Sequence, residues 1–147
     1  MINVFDILTT EKSRVNFMKG LVYLSRAEEI CEGTIGITPE EMAALDSAMV
    51  TLNIPEDERA NIEKLINSSE INLDIELDNM KQALFFIREG VQICYVEGRY
   101  CQAEKDMIYK MGQVLGVSNE KIKQIEDWAF EGIQWSKRGE TLIEMEG

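Results

Sequence analysis

Residues 37–54 read ITPEEMAALDSAMVTLNI, and this run contains a helix together with its start signals. Thr38 is placed to cap the helix, Pro39 occupies the first helical position, and Glu41 stands where a capping box needs a carboxylate. Met42, Leu45, Met49 and Leu52 then recur at helical spacing. Upstream, Phe17, Leu21, Leu24 and Cys31, with Val22 and Ile30, predict a long amphipathic helix of about six turns. Downstream, Pro55 opens another helix through Ile62, Leu65 and Ile66, which ends near the polar cluster NSSE (Asn67 to Glu70), the clearest linker in the chain.

INLDIELD, Ile71 to Asp78, alternates apolar and polar residues as a strand does. A single strand has nothing to pair with here, so it is read as the lead-in to a helix carried by Leu77, Met80, Leu84, Ile87, Val91 and Cys94. Ala103 to Leu115 is the next helix, ended by Gly116. Ser118 caps the last one, with Ile122, Ile125, Trp128 and Ala129 on its apolar face and Gly139 as its stop.

One constant offset links the two halves. Cys31 and Cys94, Thr38 and Cys101, Glu41 and Glu104, Leu52 and Leu115, and Ile54 and Val117 are all 63 positions apart. Matching caps and matching turn ends point to an internal duplication. The expected fold is therefore all-α: a single-domain helical bundle of about seven helices, built from two pseudo-twofold helix-loop-helix repeats over about 15–67 and 76–136. The turns EGT (Glu32 to Thr34) and EGR (Glu97 to Arg99) break the offset, so the loop of the first unit is longer by two residues.

Composition narrows the chemistry. The 147 residues contain no histidine, which removes imidazole bases, Ser-His and Cys-His nucleophile pairs and His-ligated zinc. Twenty-seven Asp and Glu against 15 Lys and Arg give a net charge of -12. The basic residues are scattered, so nucleic acid is not an expected partner; cations or a basic protein surface are. The N-terminus lacks the pattern of a secretory signal, and no apolar run reaches the length of a transmembrane segment. Three cysteines in a chain of this size predict reduced thiols and a cytoplasmic location.

The second unit, VEGRYCQAE followed by MGQVLGVSNEKI, resembles the TerB-like domains, and CEGTIGITPEE followed by MVTLNIPEDE is a looser copy. The family comprises all-helical proteins named for bacterial tellurite resistance and related to the N-terminal region of DjlA co-chaperones. The resemblance covers most of residues 15–135. It implies a non-enzymatic adaptor in tellurite, metal or general stress response. It also implies protein partners, some of them at the inner face of a membrane, with a homodimer left open. Family members usually carry Asp before the turn glycine, where Glu32 and Glu97 stand here.

An EF-hand register through Gly98 and Glu104 places Ile93 and Tyr95 at ligand positions and is excluded. The alternative to an adaptor is a divalent-cation sensor, Ca²⁺ being the expected ion, that uses Glu32, Glu41, Glu97 and Glu104, with Glu40 as another oxygen source in the first unit. Against it, a carboxylate at the third helical position caps backbone amides with no metal present. A third class is a hydrolase built on paired carboxylates. All three cysteines are expected to be structural: Cys31 and Cys94 as core residues, Cys101 as a helix cap. Trp128 and Trp135 are expected to close the core. If exposed, Trp135 with Lys137 and Arg138 would instead form a docking edge.

Overall fold

The computed structural model describes residues 3–33, 38–68, 73–96 and 100–144, without the side chains of residues 32 and 96. Among them are seven helices and no strand: α1 (Val4–Ile7), α2 (Glu11–Glu32), α3 (Pro39–Thr51), α4 (Glu56–Ile66), α5 (Met80–Val96), α6 (Gln102–Leu115) and α7 (Asn119–Thr141). The all-α expectation holds.

Local chemistry sets these boundaries. The Thr38 hydroxyl accepts the Glu41 N–H at 3.2 Å, so α3 starts where its cap predicts. Its C-terminus turns on Asn53, whose φ of 54° is left-handed, while the Ile54 N–H reaches back to the Met49 carbonyl at 3.0 Å. The end of α6 repeats this with Gly116 at φ 80° and a 2.8 Å bond from the Val117 N–H to the Gly112 carbonyl. Ile54 and Val117 are then buried under their own helix ends. Ser118 caps α7 through the Lys121 N–H.

Two boundaries differ from expectation. Gly139 does not stop α7, which continues to Thr141; a glycine inside a helix weakens it by about 1 kcal/mol and does not end it without a capping geometry. Residues 73–77 are not helical. There the chain crosses α2 in irregular form, with Ile75 buried and the Glu76 N–H bound to the side-chain oxygen of buried Asn16 at 2.9 Å. The helical run begins only at Met80, behind an Asn79 side chain that accepts the Gln82 N–H. Gln82, fully buried, accepts the Asp78 N–H and donates to the carbonyl of Ile7, which ties α1 to the start of α5.

α2 is the central helix and packs against α3, α4, α5 and α6; α5 packs in turn on α1, α6 and α7. The core between them holds Met18, Val22, Phe86, Ile87, Ile108 and Met111, all fully buried. Burial of such side chains is the main stabilising contribution, about 1.5–3 kcal/mol each. At the crossing of α2 and α5, Gly20 lies under the Phe86 ring so closely that a Cβ would fall 2.3 Å from two ring carbons. The absence of a side chain at residue 20 sets the spacing of these helices.

Replacement of Gly20 by Ala is expected to destabilise the fold by about 1–3 kcal/mol through overpacking, despite the better helix propensity of alanine. A urea midpoint that stays put or rises would show that the two helices separate freely.

Candidate functional site

A cavity of about 490 Å³ opens among α2, α3, α5 and α6. α2 contributes Leu21, Leu24, Ser25 and Glu28, and α3 contributes Glu41, Ala44, Leu45 and Ala48. Each set has the i, i+3, i+4, i+7 spacing of one helix face. α5 adds Glu89, Gln92, Ile93 and Cys94, and α6 adds Glu104 at its first turn. Four carboxylates therefore line a wall that is otherwise largely aliphatic.

Glu104 is only 2% exposed. Its Oε1 accepts the Cys101 N–H at 3.1 Å, so the first turn of α6 holds the buried carboxyl group. Glu41, half-buried, accepts the Thr38 hydroxyl at 3.1 Å. Glu104 thus caps a backbone amide, as expected, whereas the Glu41 carboxylate meets the hydroxyl of its cap residue; both also line the same cavity. Glu89 is held by the neighbouring Arg88, whose guanidinium is 2.8 Å from its carboxylate and lies over the rings of Phe85 and Trp128, 5.6 Å from each centroid. Of the predicted cation set, Glu97 and the side chain of Glu32 lie outside the described residues. Glu40 is exposed and does not line the cavity. Glu28 and Glu89 were missed by sequence reasoning, although their spacing from Leu21, Leu24 and Ile93 carries the face they share.

The cysteines need correction. Cys94 is a core residue, 1% exposed, and Cys101 is the α6 cap. Cys31, expected in the core as a reduced thiol, is half-buried and forms a disulfide with Cys101, with a Cα–Cα distance of 6.2 Å. That distance is ordinary for a bridge. Sequence spacing could not reveal the pair, because 70 residues separate its members and only the packing of α2 on α6 brings them together. The bridge fastens the end of α2 to the start of α6 beside the cavity.

The tryptophans also depart from expectation. Trp128 is 46% exposed and Trp135 71%, so neither closes the core. Trp135, Lys137 and Arg138 all lie on the exposed length of α7, with Leu142 and Ile143 exposed beyond them. The core under α7 is closed instead by Ile122, Ala129 and a polar cluster around buried Glu126. Glu126 accepts the Tyr109 hydroxyl at 2.7 Å, and the Lys105 ammonium is 3.9 Å away. Burial, then the Glu126 contact, pushes Tyr109 up to about 12; the same two causes raise Tyr100 further.

Comparison of the chain with protein-family models, curated proteins and solved structures finds no match.

Two outcomes follow from this geometry. Reduction of the bridge, or Cys101→Ser, should lower stability by about 4 kcal/mol, the chain-entropy value for a loop of this length; equal urea midpoints with and without reductant would deny the bridge a role in the native state. Between pH 10 and about 12 the unfolded chain releases phenol protons that the native state retains. The phenols should thus add no pH dependence below about pH 10, and stability should fall as pH rises through that window. Tyr109→Phe should flatten the fall, measured as the denaturant midpoint against pH.

Proposed function

We propose that this protein is a non-enzymatic acidic binding domain, a TerB-like adaptor whose cavity accepts a basic side chain from a protein partner. The observation that carries this reading is the pairing of four carboxylates with an aliphatic wall in one cavity of about 490 Å³. A lysine or arginine suits such a site, since its stem packs on apolar surface while its charged head meets oxygen. The net charge of -12 supports it by steering basic partners toward the surface. The placement in cytoplasmic stress response rests on the sequence resemblance. No helix among the described residues is long and apolar enough to cross a membrane.

A duplicated architecture fits the same picture. What supports it is that the cap residues Thr38 and Cys101, the first-turn glutamates Glu41 and Glu104, and the left-handed residues Asn53 and Gly116 each stand 63 positions apart in the sequence. The packing of α2 on α3 and α4 has its counterpart in that of α5 on α6 and α7.

A second reading, a divalent-cation sensor, is favoured by one observation: Glu41 and Glu104 line the same cavity. Titration with a lysine-rich peptide, followed by amide NMR, distinguishes the two. The expected result is shifts at Leu24, Ala44, Ala48 and Ile93, weakened by salt and by the Glu41→Gln, Glu89→Gln double variant. Silence at millimolar peptide, with the same residues shifting on Ca²⁺ addition, would replace the adaptor reading by the sensor.

A further inference from the structure

The Cys31 and Cys101 sulfurs and a Glu104 carboxylate oxygen all lie within 4.8 Å of one another. They come from the end of α2 and the start of α6, and all three already have a structural role: the sulfurs are joined as a disulfide, and a Glu104 oxygen accepts the Cys101 N–H. We infer that the dithiol form of this protein binds one zinc ion through Cys31, Cys101 and Glu104, and that oxidation to the disulfide expels it.

The donor set decides the metal. Two thiolates and one carboxylate match Zn²⁺ far better than Ca²⁺ or Mg²⁺, which take oxygen ligands in larger number. Two sulfurs each about 2.3 Å from one tetrahedral zinc stand about 3.8 Å apart, wider than a disulfide by less than 2 Å. Side-chain rotation at two half-buried residues covers that difference with the helices in place. Glu104 is oriented for ligation because the Cys101 amide holds one of its oxygens. Cys101 is itself the cap of α6, where the helix amides favour negative charge on sulfur. Three protein ligands leave the fourth position to water.

The chemistry is exclusive. Zinc binding to the dithiol releases two thiol protons. Hydrogen peroxide then removes two electrons from the two thiolates; the S–S bond forms, the O–O bond breaks, two protons are taken up, two waters leave, and Zn²⁺ is left with Glu104 alone. A dithiol reductant reverses the protein half of the exchange. This inference shares Glu104 with the cavity but does not rest on the adaptor reading, since the two sulfurs that decide the metal are not part of that cavity.

The test uses the full chain, reduced and freed of reductant under anaerobic conditions. Zinc titrated against a chromophoric chelator should bind one ion per chain, and Co²⁺ in its place should give a thiolate charge-transfer band sized for two sulfurs. Bound zinc should shield Cys31 and Cys101, but not require Cys94, in alkylation mapped by mass spectrometry. Cys31→Ser and Cys101→Ser should each weaken binding by more than the roughly 10–100-fold that loss of an outer-shell partner produces. Glu104→Gln should weaken it about 10-fold and keep the charge-transfer band, and Cys94→Ser should leave it unchanged. Peroxide should release the zinc in step with the loss of two thiols. A reduced, folded wild-type chain that takes up no zinc, or zinc that leaves both thiols open to alkylation, overturns the inference without reference to any variant. Retention of full affinity in Cys31→Ser, or loss of it in Cys94→Ser, overturns the assigned ligands.

Discussion

The contact between Gly20 and the Phe86 ring sets how closely α2 and α5 approach, and the rest of the bundle is arranged around that pair. α2 touches four other helices and α5 touches four, so an error in their spacing would spread to every layer of the core. One turn further along α2, Leu24 presses on Gly90, and the turn after that ends in the cavity at Glu28. The same two helices that are pinned together near their middles thus frame the acidic site alongside.

Around that site the chain places negative charge where backbone amides already favour it. Glu104 and Glu41 belong to the first turns of α6 and α3, so their carboxylates are partly compensated before any ligand arrives. The disulfide closes the same corner, joining two elements that carry cavity residues. Local capping, long-range cross-linking and ligand-facing charge therefore share a few residues, and a substitution such as one at Glu104 acts on all three together.

The elements legible in the sequence were those defined by neighbours along the chain. The Thr38 and Ser118 caps, the Gly116 stop and the apolar face of α3 follow from spacing alone, and each is where spacing puts it; on α5 the face holds from Leu84 to Cys94, while Met80 is 49% exposed. What escaped depends on partners far away. Residues 73–77 look helix-bound until Asn16 takes the Glu76 amide and Ile75 is buried beside α2. Trp128 sits on an apolar stripe, yet the polar cluster around Glu126 occupies the ground beneath α7, which leaves the indole at the surface. Glu28 and Glu89 had no cap or motif to mark them. Cys31 had a plausible core role that only the approach of α6 cancels.

Arg88 gives the protein a means of reporting on itself. Its guanidinium holds Glu89 on the cavity wall and at the same time rests over the exposed indole of Trp128. On the binding reading proposed above, a cation in the cavity would compete with Arg88 for Glu89 and change the charge over that indole, which would make Trp128 emission a signal of occupancy. One side chain thus touches both the cavity wall and the exposed face of α7.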